Sequence, residues 1–416
     1  MVAPYSPSSA SYAARIAFVV ELAERLHGYG TTAQRLEGAL VQVSQQLGLE
    51  CEPWSNPTGI FLSFSDPKRP LGESDTTRLI RLVPGDTDLS KLCEADRIAE
   101  EVMAGNLDLA DGHAALVALD RKPSLRFDAW QVVAFGLASG AVAGLLRLPW
   151  LDIATAACTG LMLGLLELLT RPRPRLKEAS EAIAGVLAGT TAILVAAFVA
   201  PINLNTVIIA SVIVLLPGMA LTNSVNELTS QHLVSGTARF AGAITTLLKL
   251  TVGTMIAMMV LSLLGIDPQV RASRPQPVWV EGLALLLAGI AFAVLFRAQR
   301  RDVPLVMLAA MSGYLISRLA GDAWGSPVGV FLAALAMTAG GNAYARWWNR
   351  PGAVVRVPGI IMLVPGSASL RGVISLFQQQ DLAAGQDALI GVLNILLALV
   401  AGLVFGNLVV PTRRNL

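Results

Sequence analysis

The chain has 416 residues, 54% apolar and 14% charged, with a mean hydropathy of +0.60, which excludes a single soluble domain. Its charge is divided: the first 127 positions hold 17 acidic and 12 basic residues, the remaining 289 hold 12 and 19, and the sum is a net +2. That balance contains no basic block able to grip nucleic acid, and the arginines of the second part sit between apolar runs, so the expected partner is a lipid bilayer.

Residues 1–10, rich in Ser and Pro, read as a disordered lead-in. Ile16, Val19, Val20, Leu22, Ala23 and Leu26 then recur at helical spacing until Gly28 and Gly30. A second helix is expected from Thr31, with Thr31 and Gln34 as a capping box and Leu36, Leu40, Val43 and Leu47 as its buried stripe. Thr58 to Phe64 and Thr77 to Val83 read as strands, and helices over 88–103 and 109–119 complete an α+β domain spanning 11–126. The run Ile16 to Val20 is broken by Glu21, Glu24 and Arg25, so no secretory signal is read and this domain is expected in the cytoplasm. Cys51, Cys93 and Cys158 are too widely spaced for a disulfide framework or metal site, and His27, His113 and His232 are isolated, so no metal or cofactor is expected.

After Arg126, ten apolar runs of bilayer length follow, near 128–146, 151–170, 179–200, 202–221, 239–264, 277–296, 303–320, 325–345, 354–371 and 386–410. They are apolar throughout rather than alternating, which indicates helices. With the first domain inside, thirteen Arg and Lys flank the inner ends and five the outer ends, so both termini are expected in the cytoplasm. Trp130 and Gly140 recur as Trp279 and Gly289, and Gly236 and Gly242 as Gly385 and Gly391, at an offset of 149; Pro217-Gly218 recurs as Pro365-Gly366 at 148. The expected fold is therefore a polytopic α-helical membrane protein, ten transmembrane helices in a 5+5 inverted-topology repeat over 127–266 and 267–416, behind a small cytoplasmic α+β domain.

The two Pro-Gly pairs each break an apolar span, because proline lacks an N–H and clashes one turn back while glycine weakens the helix further. Unwound backbone there can meet a zwitterion, N–H groups facing the carboxylate and carbonyls the ammonium. Pro217, Gly218, Asn223, Asn226, Pro365, Gly366, Ser367 and Ser369 are thus candidate substrate-binding residues; the competing reading is a span end followed by a wet loop. Lys249, ten positions beyond Arg239, is expected about 15 Å into the bilayer, where a charge needs a partner, and is a candidate for ion coupling with Glu227 and Glu167. Glu167 also has a bland reading as the helical partner of Arg171, and Glu281 and Asp152 read as solvated flanks. Asn342 and Asn394 read first as helix-packing residues, with contact to substrate as the alternative.

Phosphate-loop, zincin and nucleophile-elbow motifs are lacking, so the expected protein is not an enzyme and its transport would draw on an ion gradient or the substrate's own gradient. The stretch Glu21-Leu22-Ala23-Glu24-Arg25-Leu26-His27-Gly28-Tyr29-Gly30, then Thr32, Arg35, Glu37, Gln46-Leu47-Gly48, Pro57-Thr58-Gly59, Asp88-Leu89 and Ala104-Gly105, resembles the N-terminal domain of the threonine/serine exporter family. Val357-Pro358-Gly359 and Leu363-Val364-Pro365-Gly366-Ser367 resemble its C-terminal membrane half, and the likeness covers roughly residues 15 to 410. It implies export of threonine, serine and similar small neutral amino acids across the inner or plasma membrane, driven by the proton gradient as an antiport. The alternatives are a membrane-anchored enzyme using Glu52, Asp66 or Asp86 with His27 or His113, and a channel or sensor; oligomeric state stays open, a homo-oligomer included.

Overall fold

Ser11 accepts from the Ala14 N–H and starts α1 (Tyr12–Gly28), whose stripe of Phe18, Val19, Leu22 and Leu26 is buried. In this computed structural model residues 10–70, 75–120, 124–271, 275–364, 366–377 and 382–411 are described, so the expected lead-in, save Ala10, lies outside the described residues. Gly30, at φ +82°, turns the chain into α2 (Ala33–Gln46), and a Cβ there would meet the Thr87 backbone nitrogen at 3.0 Å. The expected capping box does not form: Thr32 is the N-cap, and its side chain caps nothing. The Ala33 N–H, one of the helix's unmet donors, donates instead to Glu227 Oε1 at 3.0 Å, in the other part of the chain.

Three strands follow rather than two. β1 (Glu50–Asn56), β2 (Gly59–Ser65) and β3 (Thr76–Arg81) form an antiparallel meander, with Cys51 opposite Phe64 and Phe61 opposite Leu79. Glu52, Pro53 and Asn56 dilute the alternation of β1, which is why its pattern is not legible alone. Ile60, Leu62 and Phe64 turn one face of β2 onto the helices, and α3 (Leu89–Met103) and α4 (Leu109–Ala118), capped by Asp88 and Asp108, close the core from the other side.

The remaining helices are α5 (Leu125–Leu145), α6 (Trp150–Thr170), α7 (Pro174–Phe198), α8 (Leu204–Ser211), α9 (Gly218–Thr229), α10 (Leu233–Leu263), α11 (Val278–Leu295), α12 (Val303–Trp324), α13 (Ser326–Trp348), α14 (Ala353–Ile361), α15 (Gly366–Phe377) and α16 (Leu382–Val409). Among the described residues nine helices are long and apolar enough to cross a membrane, or ten if the pair Leu204–Ser211 and Ile213–Thr229, bent by 57°, is one span. The protein is thus a multi-pass membrane protein. Leu161, Leu165 and Leu169 of α6 and Val252, Ile256 and Met259 of α10 are exposed, as lipid-facing side chains must be. Trp150, Trp279 and Trp324 stand exposed at helix ends, with Trp347 and Trp348 at the far end of α13, where an amphipathic ring meets both tail and headgroup. Since lipid gives apolar residues no reason to leave it, helix pairing relies on close approach: a Cβ on Gly185 of α7 would collide with the Leu250 carbonyl of α10, and one on Gly253 of α10 with the Ala182 carbonyl.

The amino-terminal layer is docked on this bundle rather than tethered to it. Ala353, Val354, Ala293 and Val306 complete its core, Leu89 and Ser90 N–H groups donate to Phe296 and Arg297 carbonyls at 2.9 and 3.2 Å, and Arg297 pairs with Asp88 at 3.1 Å.

Candidate functional site

Two short helices in each half carry the site. α8 and α9 are separated by residues 212–217, which include a 3-10 turn over Ile213–Leu215; α14 and α15 are separated by residues 362–365, of which Pro365 lies outside the described residues. Both breaks are therefore short, and the polar residues after them are helical: Thr222, Asn223, Ser224, Asn226 and Glu227 lie on α9, and Ser367, Ser369 and Arg371 on α15, neither a wet loop nor unwound backbone. The breaks meet. A Cβ on Gly218 would run into Val364, and one on Gly366 would sit 3.2 Å from Leu216 Cβ and 3.7 Å from Gly218 Cα. Glycine at both positions lets the two backbones touch, so here they form a packed crossing rather than an open pocket.

On the side of this crossing that faces the amino-terminal layer lies a cleft of about 870 Å³, the part open to solvent included. Its floor is Met219, Thr222, Asn223 and Asn226 of α9 with Arg356, Val357 and Ile360 of α14; Thr338 of α13 and Asn407 of α16 form one wall. Its roof is the turn from Tyr29 to Arg35 together with Thr87. Of the candidate residues, then, Asn223 and Asn226 reach the cleft, Pro217, Gly218 and Gly366 form the crossing, and Ser367 and Ser369 sit beyond it on α15. The cleft is incompletely satisfied: Thr31, Thr222 and Thr338 each bury a hydroxyl with no hydrogen-bond partner, although Thr222 and Thr338 are at most 1% exposed. Burial pulls the Arg35 guanidinium down to about 10, and pushes the Tyr29 phenol up to about 12.

The charged candidates separate into three environments. Glu227, fully buried, accepts from Ala33 N–H, from Ser235 Oγ at 2.9 Å and twice from Arg239 at 3.1 Å, so it latches the roof to α10. His232 beside it meets Glu37 at 3.0 Å, and Glu37 also accepts from Ser55. Lys249 lies midway along α10, yet its ammonium reaches the first turns of α7, donating to the Glu178 carbonyl at 2.8 Å and pairing with Glu181 at 3.5 Å. That side chain is 38% exposed and apart from the cleft. The depth inferred from residue counting misses this because Lys249 bends toward a neighbouring helix end. Glu167 pairs with Lys177 at 2.6 Å, not with Arg171, whose partner is Asp128.

Asp152 and Glu281, expected as solvated flanks, are buried. Asp152 Oδ2 accepts from both nitrogens of Asn203, anchoring the start of α8, and Glu281 meets Tyr314 and Arg318. Asn342 donates to Asn407 at 2.9 Å, a link between α13 and α16. In the amino-terminal layer Asp66 pairs with Arg15 at 2.6 Å and the His27 ring meets the Asn56 carbonyl at 3.1 Å. Among the described residues no group of His, Cys, Asp and Glu is placed to hold a metal ion.

The ThrE family model, a threonine/serine exporter model, matches residues 17–261, and a second, described as "Threonine/Serine exporter, ThrE", matches residues 281–409. Among individual proteins, the chain is 26% identical to a probable threonine/serine exporter of Mycobacterium tuberculosis, over 77% of this chain and 62% of that protein. It is 25% identical to pheromone-regulated membrane protein 10 of Pichia sorbitophila, over 88% of this chain and 37% of that protein. The Saccharomyces cerevisiae protein of that name is 24% identical, with coverages of 88% and 48%. The chain therefore spans less than two thirds of the length of these relatives. No solved structure matches it.

Proposed function

Since the chain belongs to the threonine/serine exporter family, we propose that it is a secondary transporter that exports small neutral amino acids of the threonine and serine type. The observation that carries this reading is the crossing of two broken helices beneath a cleft that buries unsatisfied hydroxyls: Gly218 packs against Val364 and Gly366, and Thr222 and Thr338 face the space above. A small polar solute can supply the missing hydrogen bonds, and the packed crossing stops it from passing through. Release on the other side then requires α9 and α14 to part from α8 and α15, which turns a pocket into alternating access.

The 5+5 inverted repeat belongs to this proposal, with its domain limits at 126 and 266. It draws support from matching packing: α5 lies on α6 as α11 on α12, α7 on α10 as α13 on α16, α6 on α8 as α12 on α14, and α9 on α10 as α15 on α16. Five segments in each half reverse the direction of entry, so the broken helices approach from opposite faces. Cytoplasmic termini draw support from the thirteen-to-five charge bias, and a place in the inner or plasma membrane from the family. Proton antiport is part of the same proposal, with the Glu227–Arg239 and Lys249–Glu181 pairs as the candidate coupling groups.

Counterflow in proteoliposomes tests the reading. Labelled threonine is expected to enter vesicles loaded with unlabelled threonine, and an imposed pH gradient is expected to drive net accumulation. Absence of exchange for threonine, serine and their small analogues would overturn the transport reading, while exchange indifferent to the pH gradient would overturn the proton coupling alone.

A further inference from the structure

The roof of the cleft belongs to the soluble layer, and it brings a cation. Arg35 sits in the first turn of α2, beside the turn opened by Gly30, and lines the cleft opposite α9 and α14. Among the described residues none of the ion pairs reaches Arg35. Glu227 is saturated by Arg239, Ser235 and Ala33; Glu37 is held by Ser55 and His232; Asp88 is held by Arg297 and by the start of α3. The other titratable groups facing the space are Tyr29 and Arg356, and Arg356 likewise has no acidic partner. The cleft is thus lined by two arginines and no Asp or Glu, and the positive end of α2 adds to the same sign.

A partly buried guanidinium without an anion is costly, and its shape is that of a fork for a carboxylate. Opposite it, beside Arg356, lie neutral groups, the amides of Asn223 and Asn226 and the stranded hydroxyls of Thr222 and Thr338, which suit an ammonium and a hydroxyl. The arrangement calls for a carboxylate, with Arg35 at the roof as the cation of the amino-terminal layer and Arg356 on the floor, and offers several weaker polar contacts beside them. Burial also pulls Arg35 down to about 10, as expected for a cation that lacks a partner.

We propose that Arg35 is a substrate-binding residue, which meets the carboxylate of the amino acid in the cleft, so that the soluble layer completes the substrate site and does more than cover it. The proposal rests on the transport reading and adds to it the group that fixes the substrate's orientation, carboxylate toward the amino-terminal layer and side chain toward the crossing. It also gives the docked layer a transport role: separating it from the bundle removes the counter-ion.

The test uses the purified full-length protein and two probes, threonine and threoninol, in which CH2OH replaces the carboxylate. Wild type is expected to prefer threonine by about tenfold or more, and Arg35→Gln to lose that preference by weakening threonine while leaving threoninol unchanged. Equal weakening of both probes would show a structural role and overturn the proposal, as would unchanged threonine binding. If wild type binds neither probe, the transport reading falls, a result distinct from selective failure of the variant. A second measurement needs no variant: threonine, but not threoninol, should protect Arg35 from phenylglyoxal, read by peptide mass spectrometry. Equal modification with and without threonine would overturn the assignment.

Discussion

Glu227→Ala tests whether the amino-terminal layer is latched to the bundle by a single buried carboxylate. The side chain is fully buried and accepts four hydrogen bonds, of which three come from Ser235 and Arg239 on α10 and one from the Ala33 N–H of α2. Removing it strands the Arg239 charge, which is itself mostly buried, and this kind of loss costs about 3–5 kcal/mol. Only the Ala33 bond crosses between the two parts. A hydrogen bond to a charged acceptor contributes about 1.5–3 kcal/mol, so opening of the first turn of α2 should become roughly 10- to 150-fold more frequent. Amide hydrogen exchange measures this directly: protection of Ala33 and its neighbours should fall by that factor, while the amides of Val19 and Leu22 in the core of α1 keep theirs. Glu227→Gln retains one acceptor oxygen and should lie between the two. Unchanged exchange at Ala33 in Glu227→Ala would refute the latch and leave the docking to the apolar contacts of Ala353 and Val354 and to the polar links of Asp88, Leu89, Ser90 and Glu37 with the bundle.

Gly30→Ala should destabilise the roof by about 1–2 kcal/mol or more, since alanine must hold a left-handed φ with its Cβ against the Thr87 backbone; thermal unfolding of the purified protein would show it. Gly218→Ala is expected to lower expression and thermal stability through collision with Val364, so the loss of transport it causes cannot be assigned to substrate unless binding is measured on folded protein. His27 is buried with its Nδ1 unpaired, and burial lowers its pKa below 6.5; its contribution to stability is therefore complete above pH 6.5 and is lost as pH falls through the depressed folded value. Acid-induced unfolding below pH 6.5 should be less steep in His27→Gln, and an unchanged slope would count against this. Cys51 and Cys93, both pushed up to about 11 by burial, should resist alkylation at pH 7.5 until the protein is denatured.

The helices were legible because each rests on a local pattern. Amphipathic spacing marked α1 and α2, apolar length marked the bundle, and Pro217-Gly218 marked a break whose partner in the other half has the same motif. The same locality explains what was missed. Thr31 and Gln34 satisfied a capping pattern, yet the end of α2 is capped by Glu227, a residue no window around position 31 contains. Asp152 looked solvated because it stands third in its helix, and only the fold places Asn203 over it. Glu167 found Lys177 rather than Arg171 because the turn after α6 brings α7 back alongside.

The cleft illustrates the limit most sharply, because its walls come from six separate segments: the α1–α2 turn, the stretch holding Thr87 and Leu92, α9, α13, α14 and α16. In sequence, Arg35 is one arginine on an amphipathic helix, and the default for such a residue is a solvated face. Thr222 and Thr338 are single hydroxyls in apolar runs, where bonding back to the preceding turn is ordinary. Each becomes informative only when its expected partner fails to appear. Thr251, Thr254 and Thr159 do bond back to the carbonyl four residues earlier, at 2.8, 3.0 and 2.8 Å. Thr222 and Thr338 do not, and they are the two that face the cleft. The site is therefore written in departures from local satisfaction that cluster in space, a property of the folded chain and of no segment of it.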